Sequence, residues 1–373
     1  MKYIIEGGRK LKGEVKISGN KNSILPCMAA ALLTQEEVIL KNVPNISDVD
    51  IFIEIFKYLG VNVERKDSSL YINAKKIFNK SLPENLVSKL RASILLVGPI
   101  LKRTGEVNFH FPGGDIIGKR NIQTHLDGFI KLGAKIIKND LNFHISLDRP
   151  KKKISIFMDE ASVTATENLI LTSVLGNGKT DIRNTASEPH IIDLCNMLNK
   201  MGGKIKGIGT DNLEITGVKK LRGAEFTIGD DFIEVATYSI AAAITKGEIK
   251  IICNTKTDLV PIINILEKFG IKLIPMKDGF LVKSGRLKSP EKVITSIWPG
   301  FPTDLMSVVI VLATQSEGVI LCHDWMYESR MFFVDKLISM GADITIADPH
   351  RVLVRGPSRL NGRVLETPDI RAG

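Results

Sequence analysis

The sequence predicts an α/β protein assembled from copies of one βαβαββ unit, as two domains or one large composite. Three observations carry that prediction. The chain has 373 residues, which at roughly 150 per domain points to two domains or one large composite. An apolar helical segment ending in an x-Gly pair recurs at Leu59-Gly60, Leu132-Gly133, Met201-Gly202, Phe269-Gly270 and Met340-Gly341, with glycine spacings of 73, 69, 68 and 71. A second glycine recurs at Gly105, Gly178, Gly247 and Gly318, with spacings of 73, 69 and 71. Two independent markers therefore share one period. It exceeds the roughly 20–50 residues of solenoid repeats and fits small α/β subdomains around shared cores.

In the first copy, a small-residue apolar helix at Met28–Leu33 precedes a strand at Val38–Leu40. Ser47-Asp48 can then cap a helix whose apolar face is Val49, Phe52, Ile53, Phe56 and Leu59, and Gly60 suits its C-terminus. Strands at Val61–Glu64 and Leu70–Asn73 close the unit. The third copy repeats the second helix with Ile191, Leu194, Cys195, Leu198 and Met201 before Gly202. The fourth carries a small-residue helix at Ile240–Ile244 and a strand at Ile249–Ile252; the fifth has Val308–Ala313, Val319–Leu321, and Phe333, Val334, Leu337 and Ile338 before Gly341. Five full copies fit, and a sixth starts near Asp369 and stops at Gly373. The expectation is an interrupted last repeat: its remainder lies outside this sequence, or the fragment is unstable, baring apolar surface and an open sheet edge.

Composition narrows the class. With 44% hydrophobic and 25% charged residues, the chain is not mainly disordered, collagenous or disulfide-rich. No apolar run approaches the roughly 18–20 residues of a membrane span, and the opening MKYIIEGGRKLKGEV lacks the apolar core of a signal peptide. A cytoplasmic globular protein is expected. The net charge is +10, but only Lys151-Lys152-Lys153 forms a compact run, and aromatics are 6%, too few for base-stacking platforms. Most of this charge reads as solvated surface, with a handful available for an anionic ligand; no nucleic acid and no membrane insertion is expected. Cys27, Cys195, Cys253 and Cys322 form no CxxC, and the histidines form no HxH or HExxH. Reduced, buried thiols and no metal site are the reading.

The chemistry-bearing residues gather at helix starts: Ser18–Ser23, Lys89–Ser93, Ala161–Thr166, Phe301–Asp304 and Pro368–Arg371. Helix N-termini offer free N–H groups and a positive dipole end suited to anions. Each cluster alone reads as a plain N-cap. Lys21, Arg91 and Arg371 exceed that reading, because cations sit badly against a helix N-terminus; an anionic ligand between them would remove the conflict. Two loops add candidates, Phe111–Arg120 with three glycines and a proline, and Trp298–Asp304 with two prolines and a carboxylate.

At these residues the chain resembles a known family. SGNKNS, LRASILLVGP, FPGGDIIGKR, ASVTATEN, EPHIIDLCNMLNKMGGKI, WPGFPTD, ESR and PDIRAG occur in the order and spacing of the UDP-N-acetylglucosamine 1-carboxyvinyltransferases, enolpyruvyl transferases of bacterial cell-wall synthesis. The resemblance runs from Gly7 to Gly373. It implies a two-domain inside-out α/β barrel of six βαβαββ units, one domain spanning about 20–229 with a catalytic loop near 111–120, the other joining 1–19 to 230–373. The implied reaction adds the 3′-hydroxyl of the sugar nucleotide to C2 of phosphoenolpyruvate and then eliminates phosphate. No metal or organic cofactor is implied. The implied contacts are Lys21 and Asn22 for phosphoenolpyruvate and sugar; Arg91, Arg120 and Arg330 along the cleft; and Ser162 and Val163 for the uridine diphosphate. Asp304 falls near the reacting hydroxyl, Met326 gives a main-chain contact, Asp231 and Glu234 fall at the domain crossover, and Asp369 and Arg371 match the closing motif. The physical demand agrees, since arginine binds oxyanions bidentately and a hydroxyl nucleophile wants a carboxylate base. The related shikimate-pathway transferase prefers Lys-Ser where this chain has Lys21-Asn22. Another acceptor such as shikimate-3-phosphate, or a non-catalytic sugar-nucleotide-binding relative, is the alternative.

Two departures from the family stand out. Many members carry cysteine in the PGG loop where this chain has Asp115, and others carry aspartate. Reference pKa values are about 3.9 for Asp and 8.5 for Cys, so proton donation near neutral pH requires Asp115 to be raised by burial or by the charge of bound phosphoenolpyruvate. Insensitivity to fosfomycin, which alkylates the family's loop cysteine, follows. The second departure is the tail, where the family continues with most of the sixth unit, including a further arginine.

Overall fold

Every glycine that ends an x-Gly pair lies in the left-handed region: φ is +82° at Gly60, +96° at Gly133, +99° at Gly202, +86° at Gly270 and +103° at Gly341. A side chain there would clash with its own backbone, so the repeat of glycines is a repeat of helix C-termini. The computed structural model describes residues 3–114, 121–148, 152–254, 259–327 and 329–366. The chain divides into two compact units, one formed by Ser18–Gly114 with Asn121–Gly229, the other by the stretch to Ile17 with the chain from Asp230. Each has its own apolar core.

The chain opens with β1 (Lys12–Lys16). The first copy holds α1 (Lys21–Ala31), β2 (Val38–Lys41), α2 (Ser47–Leu59), β3 (Asn62–Lys66) and β4 (Ser69–Asn73). The second holds α3 (Glu84–Val87), a 3-10 turn at Arg91–Leu96, α4 (Val97–Thr104), β5 (Glu106–His110), α5 (Gln123–Lys131), β6 (Ala134–Asn139) and β7 (Asn142–Leu147). The third holds β8 (Lys153–Phe157), α6 (Val163–Ser173), β9 (Lys179–Arg183), α7 (Pro189–Lys200), β10 (Ile205–Lys206) and β11 (Asn212–Thr216), and β12 (Glu225–Thr227) follows. The fourth holds α8 (Phe232–Ile244), β13 (Glu248–Ile252), α9 (Val260–Lys268), β14 (Ile271–Met276) and β15 (Gly279–Ser284). The fifth holds β16 (Lys292–Ile294), a 3-10 turn at Thr303–Leu305, α10 (Met306–Thr314), β17 (Gly318–His323), a second 3-10 turn at Arg330–Phe333, α11 (Val334–Ser339), β18 (Asp343–Asp348) and β19 (Arg351–Gly356).

Sheet order repeats with the sequence. Four sheets run β12-β2-β4-β3, β8-β9-β11-β10, β1-β13-β15-β14 and β16-β17-β19-β18; the fifth, β5-β7-β6, has three strands, with a parallel bridge from Ser81 to Asn108 where the fourth would lie. In each full sheet the first pair is parallel and the rest antiparallel. A parallel pair needs a crossover, and α6 and α10 supply it for β8–β9 and β16–β17. The first strands of copies one and four come from afar: β12 pairs Glu225 with Ile39, and β1 pairs Lys12 with Glu248. Periodicity alone could not reveal these non-local strands. Among the described residues, the unit from Asp230 carries two of these sheets and the other unit three.

The small-residue helix α1 is buried from Ser23 to Ala31, as an apolar helix must be; α6 is buried from Ala165 to Ser173 although Glu167 and Asn168 lie in that stretch. The second helices are amphipathic. In α2 the buried face is Val49, Phe52, Ile55, Phe56 and Leu59, so Ile55 replaces the expected Ile53, which is half-buried. The expected Ser47-Asp48 cap is also corrected. Ile46 occupies the N-cap without a side-chain bond, and Asp48 is engaged elsewhere. All four cysteines are free and buried. No helix among the described residues is long and apolar enough to cross a membrane.

One buried cluster has consequences for stability. Helices α1, α6 and α7 pack together, and burial raises the carboxyl of Glu167 well above the usual range, with the charge of Glu188 adding to the effect. Burial likewise pushes Glu188 up to about 7 from 4.5. A carboxyl whose folded pKa exceeds its unfolded value holds its proton more tightly in the fold. Glu188 therefore reduces stability progressively as pH rises from about 4.5 to about 7, and Glu167 extends the loss to higher pH. Because the depressed pKa of His125 adds stability with rising pH over part of this window, the carboxyl effect is read as a difference: the denaturant midpoint of Glu167→Gln/Glu188→Gln is expected to gain on that of the native chain as pH rises to 8. A difference that shrinks with pH would contradict this.

Candidate active site

In the unit from Ser18 to Gly229, the first site element is the N-terminus of α1. Asn20 caps it, its Oδ1 accepting from the N–H groups of Asn22 at 2.7 Å and Ser23 at 3.3 Å. The cap leaves Lys21 and Asn22 in the first turn, both half-buried. A lysine there opposes the helix dipole, and the chain resolves the conflict itself: Lys21 Nζ lies 2.7 Å from Asp48 Oδ2, with the two side chains 22% and 8% exposed. The anion expected of a ligand is in part supplied by α2. Ser23 Oγ donates to Asp193 Oδ2 at 2.7 Å, and the same oxygen accepts from Gly229 N at 3.1 Å, which ties α1 to the end of the unit. Breaking an ion pair this buried is costly. Asp48→Ala is expected to lower stability by roughly 1–3 kcal/mol, read as a denaturant midpoint; an unchanged midpoint would refute the role.

Arg91 opens the 3-10 turn before α4. Its Nη2 donates to Asn121 O at 2.7 Å, and its guanidinium lies 5.6 Å from the Phe111 ring centre. Ser162 caps α6, accepting from Ala165 N at 3.4 Å, and Val163 begins the helix. Buried His125 links these elements. Asn168 Oδ1 accepts from Gly98 N at 3.2 Å, which fixes its amide, so Nδ2 donates to His125 Nδ1 at 3.0 Å. The ring proton then sits on Nε2, 3.1 Å from Thr164 Oγ1. Desolvation and then the charge of Arg91 push this histidine down to about 3, so it is neutral at working pH.

The glycine loop is shaped by close approach. Gly113 N donates to Val87 O at 3.2 Å, and a Cβ at Gly113 would stand 1.7 Å from Ser88 O. No other residue fits there. Asp115 and Arg120 lie outside the described residues, as do Asp369 and Arg371.

In the unit from Asp230, Asp231 caps α8 through Ile233 N at 2.9 Å, with Glu234 in the first turn. Asp304 sits in the 3-10 turn before α10. Arg330 Nη1 donates to Asp304 Oδ1 at 2.7 Å, and the guanidinium lies 4.8 Å from the Tyr327 ring centre. Arg330 is 6% exposed and Asp304 22%, so the pair is sheltered while its carboxylate keeps a face to solvent. Met326 N donates to Asp324 Oδ1 at 3.1 Å. Thus Asp304, Arg330 and Met326 are brought together in one unit, and Lys21, Asn22, Arg91, Ser162 and Val163 are held in the other. Sequence reasoning missed Asp48, His125, Thr303 and Asp324. Each acts through a neighbour distant in sequence: Asp48 was marked only as a cap and Thr303 only as part of the Phe301–Asp304 cluster, while no motif marks His125 or Asp324. Among the described residues no three potential metal ligands cluster.

The fold and the likeness to known proteins define the class. The family described as EPSP synthase (3-phosphoshikimate 1-carboxyvinyltransferase) matches residues 5–373. The crystal structure of the enolpyruvyl transferase NikO from Streptomyces tendae is similar in fold, with TM-score 0.86 at 21% identity over 95% of this chain and 84% of that one. EPSP synthase from Acinetobacter baumannii gives 0.72 at 17%, over 95% and 84%. The architecture is the enolpyruvyl transferase fold. Among curated relatives, the UDP-N-acetylglucosamine 1-carboxyvinyltransferase of Borrelia garinii subsp. bavariensis is 48% identical over all of this chain and 88% of its own length. That of Treponema denticola is 46% identical over all of this chain and 89% of its own. The chain belongs to the UDP-N-acetylglucosamine 1-carboxyvinyltransferase family, and it is a transferase.

Proposed function

We infer that this enzyme transfers the enolpyruvyl group of phosphoenolpyruvate to the 3′-hydroxyl of UDP-N-acetylglucosamine and releases phosphate. This is the first committed step of peptidoglycan precursor synthesis. The observation that carries the chemistry is the sheltered Asp304–Arg330 pair, with 2.7 Å between donor and acceptor. A carboxylate beside a fixed guanidinium stays ionised and can take a hydroxyl proton, while the guanidinium faces an anionic co-substrate.

In this reading Asp304 accepts the proton of the 3′-hydroxyl as its oxygen bonds to C2 of phosphoenolpyruvate, and C3 takes a proton from Asp115. The C2–phosphate oxygen bond then breaks as C3 returns a proton to the Asp115 carboxylate, Asp304 passes its proton to the departing phosphate, and the enolpyruvyl ether and hydrogen phosphate leave. Lys21, Arg120 and Arg330 balance the charge of phosphoenolpyruvate. Asn22, Arg91, Ser162, Val163 and the Met326 main chain hold the sugar nucleotide, with Asp369 and Arg371 as further substrate-binding residues. His125, neutral and donating to Thr164, suits a role in ordering the first turn of α6. Both substrates are small molecules, and the reading is of a cytoplasmic enzyme.

The test is phosphate release with each acceptor. Release that depends on UDP-N-acetylglucosamine and ignores shikimate-3-phosphate supports the reading; dependence on shikimate-3-phosphate would overturn it.

A further inference from the structure

Asp324 follows β17 and is fully buried, at 0% exposure. Its backbone is gripped from both sides by the turn between β18 and β19. Asp324 N donates to His350 O at 2.9 Å, and His350 Nδ1 donates to Asp324 O at 2.8 Å. Its carboxylate has a division of labour. Oδ1 accepts from Thr295 Oγ1 at 3.0 Å and from Met326 N at 3.1 Å. Oδ2 accepts from Thr303 Oγ1.

That last bond fixes a polarity. The Thr303 hydroxyl has one proton, and the carboxylate takes it. Its lone pairs therefore face the other way, where Arg330 Nη1 donates to Thr303 Oγ1 at 3.0 Å and to Asp304 Oδ1 at 2.7 Å. A guanidinium has donors only, so it can sit there only while the hydroxyl accepts.

We propose that Asp324 is a positioning residue: by claiming the Thr303 proton it turns that hydroxyl into an acceptor and so holds Arg330 between Thr303 and the carboxylate of Asp304. The proposal rests on the reading of Asp304 and Arg330 as active-site groups. Unlike them, Asp324 touches no substrate in that reading and acts only through Thr303 and the Met326 main chain.

The arrangement makes Asp324→Asn an unusually informative substitution. The Thr295 hydroxyl and Met326 N–H both require an acceptor at the Oδ1 position, so the amide oxygen must stay there. The amide NH2 then occupies the Oδ2 position and donates to Thr303. The hydroxyl turns round and presents its proton to Arg330, opposing one donor with another.

The experiment is a double-mutant cycle on the enzyme, read as kcat and KM for phosphate release together with a thermal midpoint. Asp324→Asn is expected to lower kcat/KM by roughly 10- to 100-fold, and Thr303→Val by a similar factor. Asp324→Asn/Thr303→Val is expected to be no worse than Thr303→Val alone, because a reversed donor has no hydroxyl left to turn. Thr303→Ser, which keeps the hydroxyl, recovers most of the loss caused by valine. Additive losses in the double variant, or Asp324→Asn with turnover close to that of the parent enzyme, would overturn the proposal; so would a loss of kcat/KM that merely tracks the thermal midpoint. Arg330→Lys and Asp304→Asn, run alongside, separate the two levels. If they leave turnover intact, the reading of the site fails; if they abolish it while the cycle is additive, only the role of Asp324 fails.

Discussion

Asp304→Asn is expected to lower kcat for phosphate release by roughly 10²–10⁴-fold. The substitution keeps the shape of the side chain and its 3-10 turn but removes the group that accepts the hydroxyl proton. An amide oxygen can still meet Arg330 Nη1, now 2.7 Å from a carboxylate oxygen, so the buried guanidinium is not left bare. Loss of kcat should therefore exceed any rise in KM, and the folded state should persist with a modest fall in stability. Arg330→Lys is expected to act differently. A lysine presents a point charge in place of a planar fork, cannot serve Thr303 and Asp304 together with the same geometry, and should raise KM for phosphoenolpyruvate as well as lower kcat. If Asp304→Asn turned over at the parent rate, the assignment of the base would be wrong.

Fosfomycin is expected to leave the enzyme active, and Asp115→Cys is expected to make it sensitive. The glycines before this position are constrained by the contact between Gly113 and Ser88 and by φ of +113° at Gly114, and the substitution leaves both glycines in place. What changes is the nucleophile. With reference pKa values of about 3.9 and 8.5, aspartate is a hard, weakly nucleophilic carboxylate and cysteine a source of thiolate that opens an epoxide. Intact-mass spectra after incubation with the drug are expected to show the parent mass for the native enzyme and an adduct for Asp115→Cys. An adduct on Asp115 with loss of turnover would contradict this.

Much of the fold was legible because its signals are local. The x-Gly pairs report helix C-termini, since only glycine takes the left-handed φ there at little cost. The small-residue helices at Met28–Leu33, Ile240–Ile244 and Val308–Ala313 read as core because those stretches carry only apolar side chains, and most of α1, α8 and α10 is buried. The first strands of copies one and four were not legible in the repeat itself; the grouping of 1–19 with 230–373 was expected only from the family resemblance. Each lies far from its sheet, β12 beside β2 and β1 beside β13, and no periodicity encodes a partner more than 180 residues away. The site divides in the same way. Lys21, Asn22, Ser162 and Asp304 were found as polar residues at helix starts. Asp48 was misread as a cap because Ser-Asp before an apolar run is the usual capping pattern; only the fold brings it to Lys21. Asp324 carried no signal at all, since its role depends on Thr303 and His350, which arrive from the 3-10 turn before α10 and from the β18–β19 turn.

The most direct test of the central claim is to follow phosphate and the sugar nucleotide together, with phosphoenolpyruvate and UDP-N-acetylglucosamine supplied to the enzyme. The account predicts that phosphate appears in step with a product whose vinyl protons are visible by NMR, and that both slow together in Asp304→Asn by the factor expected above. Binding of UDP-N-acetylglucosamine with no phosphate released and no enol ether formed would contradict it.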